Sequence, residues 1–126
     1  MHDQEQSLNK RTVTEYLDGF RAMDHARILA CLTDDIRWTV FGGFQLTGKA
    51  AYDAAIDGEG FVGSPTLNVV RMVEEDDVVM AELTGSVQRD TGEVWNLSMA
   101  EVFVMRDGKI CERRAWVINL TENDFR

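Results

Sequence analysis

The sequence predicts an α+β domain, and three observations carry that prediction. Helical periodicity is concentrated in the first half of the chain, four strand-like stretches follow one another in the second half, and clusters of turn formers separate them. Helices first and a long antiparallel run afterwards imply a curved antiparallel sheet wrapped around N-terminal helices, in the order ααββαββββ.

From about Ser7 to Met23, Val13, Tyr16, Leu17 and Phe20 fall at helical spacing, with Lys10, Arg11, Glu15 and Asp18 on other faces. This is an amphipathic helix. Asp24 can cap a second helix through about Leu32, with Ile28, Leu29 and Leu32 facing inward. Ile36, Trp38 and Val40 then alternate with Arg37, Thr39 and Phe41, the period of a half-buried strand, and Gly42-Gly43 can turn the chain into Phe44-Gln45-Leu46. Thr47 is the expected cap of a third helix carrying Tyr52, Ala55 and Ile56, and Gly58 to Pro65 reads as a loop. The four later strands run from about Thr66 to Val73, Val78 to Gln88, Glu93 to Met105 and Lys109 to Leu120. Glu74 to Asp77, Arg89 to Gly92 and Arg106 to Gly108 separate them.

The chain has 126 residues, the size of one compact domain, and nothing low in complexity divides it; the ordered core is expected over about 7–120. A net charge of −9 repels a polyphosphate partner, so nucleic acid is not expected as a ligand. No apolar run approaches the roughly 20 residues of a membrane span, and the polar start, with His2 in it, has no apolar leader pattern. A cytoplasmic location is the expectation. The two cysteines, Cys31 and Cys111, have no partner at metal-ligand spacing and read as reduced, structural thiols. His25, after Asp24 at a helix start, reads as a solvated surface histidine. Metal-binding acid clusters, phosphate-cradling glycine loops and a nucleophile elbow are all missing from the pattern, which implies neither a metal nor a nucleotide cofactor.

Glu101 is the most informative single residue. It lies between Met99 and Phe103 on one strand face, and a carboxylate between two large apolar side chains has to be paired, protonated or exposed. If Asp107-Gly108 forms a two-residue turn, Glu101 stands opposite Arg114; if the loop has three residues with a glycine bulge, it stands opposite Arg113. Either arginine would hold Glu101 ionised. Trp38 and Trp116 can wall an apolar pocket, and Trp95 can sit at its mouth or at a subunit contact. Glu82 shares a strand face with Met80 and Thr84, either as a second acid in the pocket or as a solvated glutamate.

The element order, the length and several motifs resemble the nuclear transport factor 2-like superfamily, nearest to its SnoaL-like and ketosteroid-isomerase-like branches. The motifs are Val13-Thr14-Glu15-Tyr16, then Asp24, then Leu29 to Asp35, with Gly48-Lys49 and Arg106 to Ile110 further on. The resemblance covers about Val13 to Leu120 and implies a cone-shaped fold with a small-molecule pocket, lined here by Phe20, Trp38, Val40, Glu82, Met99, Phe103 and Trp116. By the same resemblance Tyr16 matches the oxyanion-binding tyrosine of ketosteroid isomerase and Glu101 its acidic partner. The isomerase's base position falls on Val40, which cannot remove a proton, and Trp116 is followed by Val117-Ile118-Asn119 where the SnoaL-like cyclases carry an acid. An acid with an arginine is also similar to the arrangement of limonene epoxide hydrolase. Two functions stay open. One is an isomerase-, cyclase- or hydrolase-like enzyme acting on a hydrophobic carbonyl or epoxide-like molecule, with Tyr16, Glu101 and one of Arg113 or Arg114 in its site. The other is a non-catalytic dimeric ligand-binding or accessory domain. In either case the broad outer sheet face, and the habit of the family, imply a homodimer.

Overall fold

The computed structural model describes residues 6–120; His2 and the other terminal residues lie outside them. Helix α1 spans Leu8–Ala22, with the Ser7 side chain accepting the Lys10 amide at 3.1 Å and Met23 closing it in the left-handed conformation. Asp24 caps the short α2, His25–Leu29, through the Arg27 amide. Strand β1 runs Leu32–Val40, β2 Phe44–Thr47, and α3 Lys49–Ala55. The long strands are β3 Phe61–Glu75, β4 Val78–Arg89, β5 Val94–Arg106 and β6 Lys109–Asn119.

All six strands form one curved, unclosed sheet in the order β2-β1-β6-β5-β4-β3. The expected meander is present as β3 to β6. The first hairpin does not stand apart from it, because β1 lies parallel to β6, with Trp38 opposite Arg113. One parallel pair therefore interrupts an otherwise antiparallel sheet. The N-terminal helices cover its inner face, and Val13, Tyr16, Leu17 and Ile28 from them share one core with Val79, Leu83, Phe103 and Ile110 from the strands. Burying these apolar side chains is the main stabilising term of such a domain.

Three local expectations need correcting. Leu32 begins β1, pairing with Ile110, and is not the end of α2. Its inward placement is retained because a residue buried on a strand satisfies the same apolar demand. Thr47 ends β2, and the cap of α3 is Gly48 at φ 94, without a side-chain hydrogen bond. The stretch expected to be a loop up to Pro65 already enters β3 at Phe61, which pairs with Arg89, and the register shifts between Val62 and Thr66.

The β5–β6 hairpin decides which residues face the core. Asp107 and Gly108 both have positive φ, 54 and 77, as a two-residue hairpin turn requires, and Arg106 pairs with Lys109. Cys111 is then left unpaired between Met105–Ile110 and Val104–Glu112. This bulge puts Glu101 opposite Ala115, so neither expected register is present.

Candidate functional site

The inner face encloses a cavity of about 270 Å³ walled mainly by apolar side chains, among them Phe20, Trp38, Phe44, Phe61, Trp95 and Met99. Small-molecule sites are characteristically apolar concavities with a few placed polar groups. Here the polar groups reaching the wall include Tyr16 of α1, Glu101 of β5 and Arg113 of β6.

Glu101 and Arg113 form a bidentate ion pair along the diagonal of the hairpin. Arg113 Nε donates to Glu101 Oε1 at 2.9 Å and Nη2 donates to Oε2 at 2.8 Å. Glu101 is 2% exposed and Arg113 9%, so the pair is taken almost wholly from water. The remaining amine, Nη1, donates to the Tyr16 hydroxyl at 2.6 Å and to the Tyr52 hydroxyl at 3.3 Å. Tyr52, from α3, is hydrogen-bonded to Tyr16 through their hydroxyl oxygens. Burial works against the Arg113 charge, but Glu101 and the two phenol oxygens outweigh it and hold the guanidinium above the ordinary arginine range.

Burial, its largest cause, pushes the Tyr16 hydroxyl well above the ordinary phenol range, against the opposing pull of Arg113, and it raises Tyr52 likewise. Both are therefore neutral donors at neutral pH. Two phenol protons are available, and one is shared within the tyrosine pair. Tyr16 lines the cavity, and its oxygen already accepts from Arg113. When Tyr52 donates to Tyr16, the Tyr16 proton is left for an acceptor in the cavity. A preorganised neutral donor of this kind polarises an oxygen that gains negative charge during reaction.

The aromatic residues fix these groups in place. Tyr16 packs edge-on against Phe20 at 5.2 Å and Phe103 at 5.6 Å. Trp38 stacks on Tyr52 at 4.6 Å, and the Arg113 guanidinium lies 4.5 Å from the Trp38 ring centre, a cation–π contact. Phe103 itself is fully buried behind Tyr16 and supports it without belonging to the cavity wall.

Of the residues expected in the site, Tyr16, Glu101, Arg113, Phe20, Trp38 and Met99 come together at the cavity, and Trp95 joins them. Four do not. Arg114 points to the outer face, where its Nη1 pairs with Glu112 at 3.0 Å. Trp116 is 42% exposed and stacks on Phe41, also on the outside. Glu82 is exposed beside Met80 on the outer face, because inward positions of β4 are the odd-numbered Val79, Ala81 and Leu83. Val40 packs against the core from the end of β1 and does not line the cavity.

Tyr52 is a member of this hydrogen-bonded group that the sequence reading missed. It was expected on the third helix, but nothing local pointed to Tyr16 as its partner. His25 also differs from expectation: Nδ1 meets Asp53 at 2.6 Å and Nε2 meets Asp57 at 2.9 Å, and these carboxylates raise its pKa. Asp57 lines the exposed end of the cavity. Both cysteines are free, and burial pushes the Cys31 thiol up to about 11, which leaves it an inert core group. Among the described residues no group of three or more His, Cys, Asp or Glu side chains is placed to hold a metal ion. No helix among them is long and apolar enough to cross a membrane.

This fold with this site defines a class, and the sequence agrees: residues 13–113 match the SnoaL-like domain family, and the chain belongs to it. No curated protein matches the sequence. Among solved structures, an LEH-like epoxide hydrolase of Mycobacterium tuberculosis superposes with a TM-score of 0.79 at 18% identity, over 91% of this chain and 86% of that one. A protein of Kribbella flavida provisionally named a ketosteroid isomerase gives 0.75 at 16% identity, over 88% and 78%. A protein of Jannaschia sp. provisionally named a SnoaL-like polyketide cyclase gives 0.75 at 20% identity, over 91% of each chain. At these identities the likeness is one of fold.

Proposed function

We propose that this SnoaL-like domain takes a hydrophobic small molecule carrying a carbonyl or epoxide-like oxygen into its cavity and polarises that oxygen through Tyr16, in an isomerase-, cyclase- or hydrolase-like step. The observation that carries the reading is a single neutral hydroxyl, backed by a buried guanidinium, at the wall of a mainly apolar cavity. The structural neighbours include proteins named for each of these three chemistries, which supports the reaction range without choosing within it. Glu101 orients Arg113, and Arg113 orients Tyr16.

A second reading is a non-catalytic binding domain, and one observation favours it. Among the described residues, the carboxylates lining the cavity are Glu101, held by Arg113, and Asp57, held by His25, so neither is a free base. Both readings include a second copy of the chain on the outer sheet face, where Met80, Trp116 and Ile118 are exposed, and a cytoplasmic location. Sedimentation that finds only a monomer at micromolar concentration counts against the dimer.

The test titrates 1-indanone and cyclohexene oxide into wild type and Tyr16→Phe, following tryptophan fluorescence and product formation. Saturable binding weakened about tenfold by Tyr16→Phe supports the cavity reading. Conversion of the epoxide to a diol selects the enzyme, and binding without product selects the carrier. Failure of both probes to bind overturns both readings.

A further inference from the structure

Trp38 holds a polar atom that the network above does not use. Its indole forms part of the cavity wall, the residue is 7% exposed, and Nε1–H is the one buried side-chain nitrogen or oxygen without a hydrogen-bond partner among the described residues. A buried donor gives up its hydrogen bond to water and gains nothing in return, so folded proteins leave few of them. A phenylalanine here could line the same wall without that loss.

The ring has little freedom to find a partner elsewhere. Tyr52 is stacked with it at 4.6 Å, the Arg113 guanidinium lies 4.5 Å from its centre, and Phe20 and Phe44 pack edge-on at 6.5 and 4.9 Å. Of these neighbours Phe44, 44% exposed and itself part of the cavity wall, is the one with room to move when a ligand enters. Nε1 itself is shielded from solvent, so an atom entering the cavity can reach it once Phe44 gives way.

We propose that Trp38 Nε1–H is a second hydrogen-bond donor for the molecule bound in the cavity, so that the site selects apolar molecules with two acceptor oxygens, one for Tyr16 and one for Trp38. This rests on the cavity being a ligand site. The two donors differ in kind. The Tyr16 hydroxyl is coupled to Arg113 and sits where charge can be stabilised, whereas the indole N–H is an uncharged, donor-only group that fixes orientation. A ligand with one acceptor leaves one of the two donors unsatisfied and is discriminated against for that reason.

Three probes on one bicyclic frame test this: indane with no acceptor, 1-indanone with one carbonyl, and N-methylphthalimide with two. Uniformly 15N-labelled protein reports each of the three tryptophan indoles, and the Trp38 signal is the one lost in Trp38→Phe. The expected result is a downfield shift of the Trp38 indole proton on saturation with N-methylphthalimide and no such shift with indane. N-methylphthalimide should bind about tenfold more tightly than 1-indanone to wild type, and in Trp38→Phe the ratio of the two affinities should fall to near one, whatever loss the altered wall imposes on both probes alike. An unmoved Trp38 signal in the saturated protein, or equal affinity for the two carbonyl probes, overturns the proposal while the cavity reading survives. If none of the three binds, the cavity reading falls and this inference with it. Should Trp38→Phe fail to fold, Trp95→Phe and Trp116→Phe assign the Trp38 signal by elimination, and the shift and the affinity ladder measured on wild type decide the matter.

Discussion

Replacing Glu101 with glutamine tests the centre of the site more directly than any other single change. The side chain keeps its volume, loses its charge, and presents an amide NH2 group where a carboxylate oxygen accepted from Arg113. Arg113 then keeps one amide oxygen and the neutral hydroxyls of Tyr16 and Tyr52 as acceptors but has lost its counter-charge, in a place where the residue is 9% exposed. Breaking a buried pair from one side costs about 3–5 kcal/mol, because the surviving charge has neither counterion nor water. Against a total stability of about 5–15 kcal/mol for a domain of this kind, that is a large fraction. It corresponds to a fall in Tm of roughly 10 °C or more.

Urea denaturation at neutral pH measures the loss, provided the slope m matches wild type. Two controls separate charge from packing. Glu112→Gln disturbs the outer-face pair with Arg114, which is 3.0 Å long but has its arginine side chain 34% exposed, and should cost less than about 1 kcal/mol. The double variant Glu101→Leu with Arg113→Met removes both buried charges and should recover most of the lost stability, since apolar replacements of buried pairs are often neutral or better. A Glu101→Gln loss below about 1 kcal/mol, or a double variant less stable than the single one, would refute the view that this pair is buried and mutually dependent.

Two further outcomes follow from the geometry. A Cβ added at Gly85 would lie 2.2 Å from the Thr66 carbonyl oxygen of the neighbouring strand, so Gly85→Ala should force β3 from β4 and destabilise by about 3 kcal/mol; a melt within about 0.5 kcal/mol of wild type would show that β3 yields freely. His25, whose pKa is raised by Asp53 and Asp57, should stabilise the fold fully below its unfolded pKa and lose that contribution as pH rises through its folded value. The stability gap between wild type and His25→Gln should therefore shrink from about pH 6 to pH 9, and a gap that is constant or widens would contradict the pairing of His25 with Asp53 and Asp57.

How much of the site was legible in the sequence comes down to a few residues. The inward placement of Met99, Glu101 and Phe103 follows from the period of two, which depends only on the strand's own backbone, and the structure keeps it. The helical stripe of α1 fixed Tyr16 in the same way. Contacts between distant elements were not written in any local period: Tyr52 reaches Tyr16 across 36 residues, and β1 joins β6 in parallel over an even longer separation. The least legible step was the smallest, the single unpaired residue Cys111. Ile110 faces the core beside Met105, so regular alternation would have turned Glu112, Arg114 and Trp116 inward after it. The bulge shifts the face by one residue and brings Arg113 and Ala115 inward, sending Arg114 and Trp116 out. One inserted residue thus explains both misplaced side chains. It also sets Arg113 level with Trp38 on the adjacent strand, which is where the guanidinium has to be to hold Glu101, touch both tyrosines and lie over the indole at once. The turn sequence Asp107-Gly108 specified the hairpin correctly, but either Arg113 or Arg114 could have met Glu101, and the bulge that chooses Arg113 and keeps the Glu112 carboxylate on the outer face is decided by contacts that exist only after the strands have met.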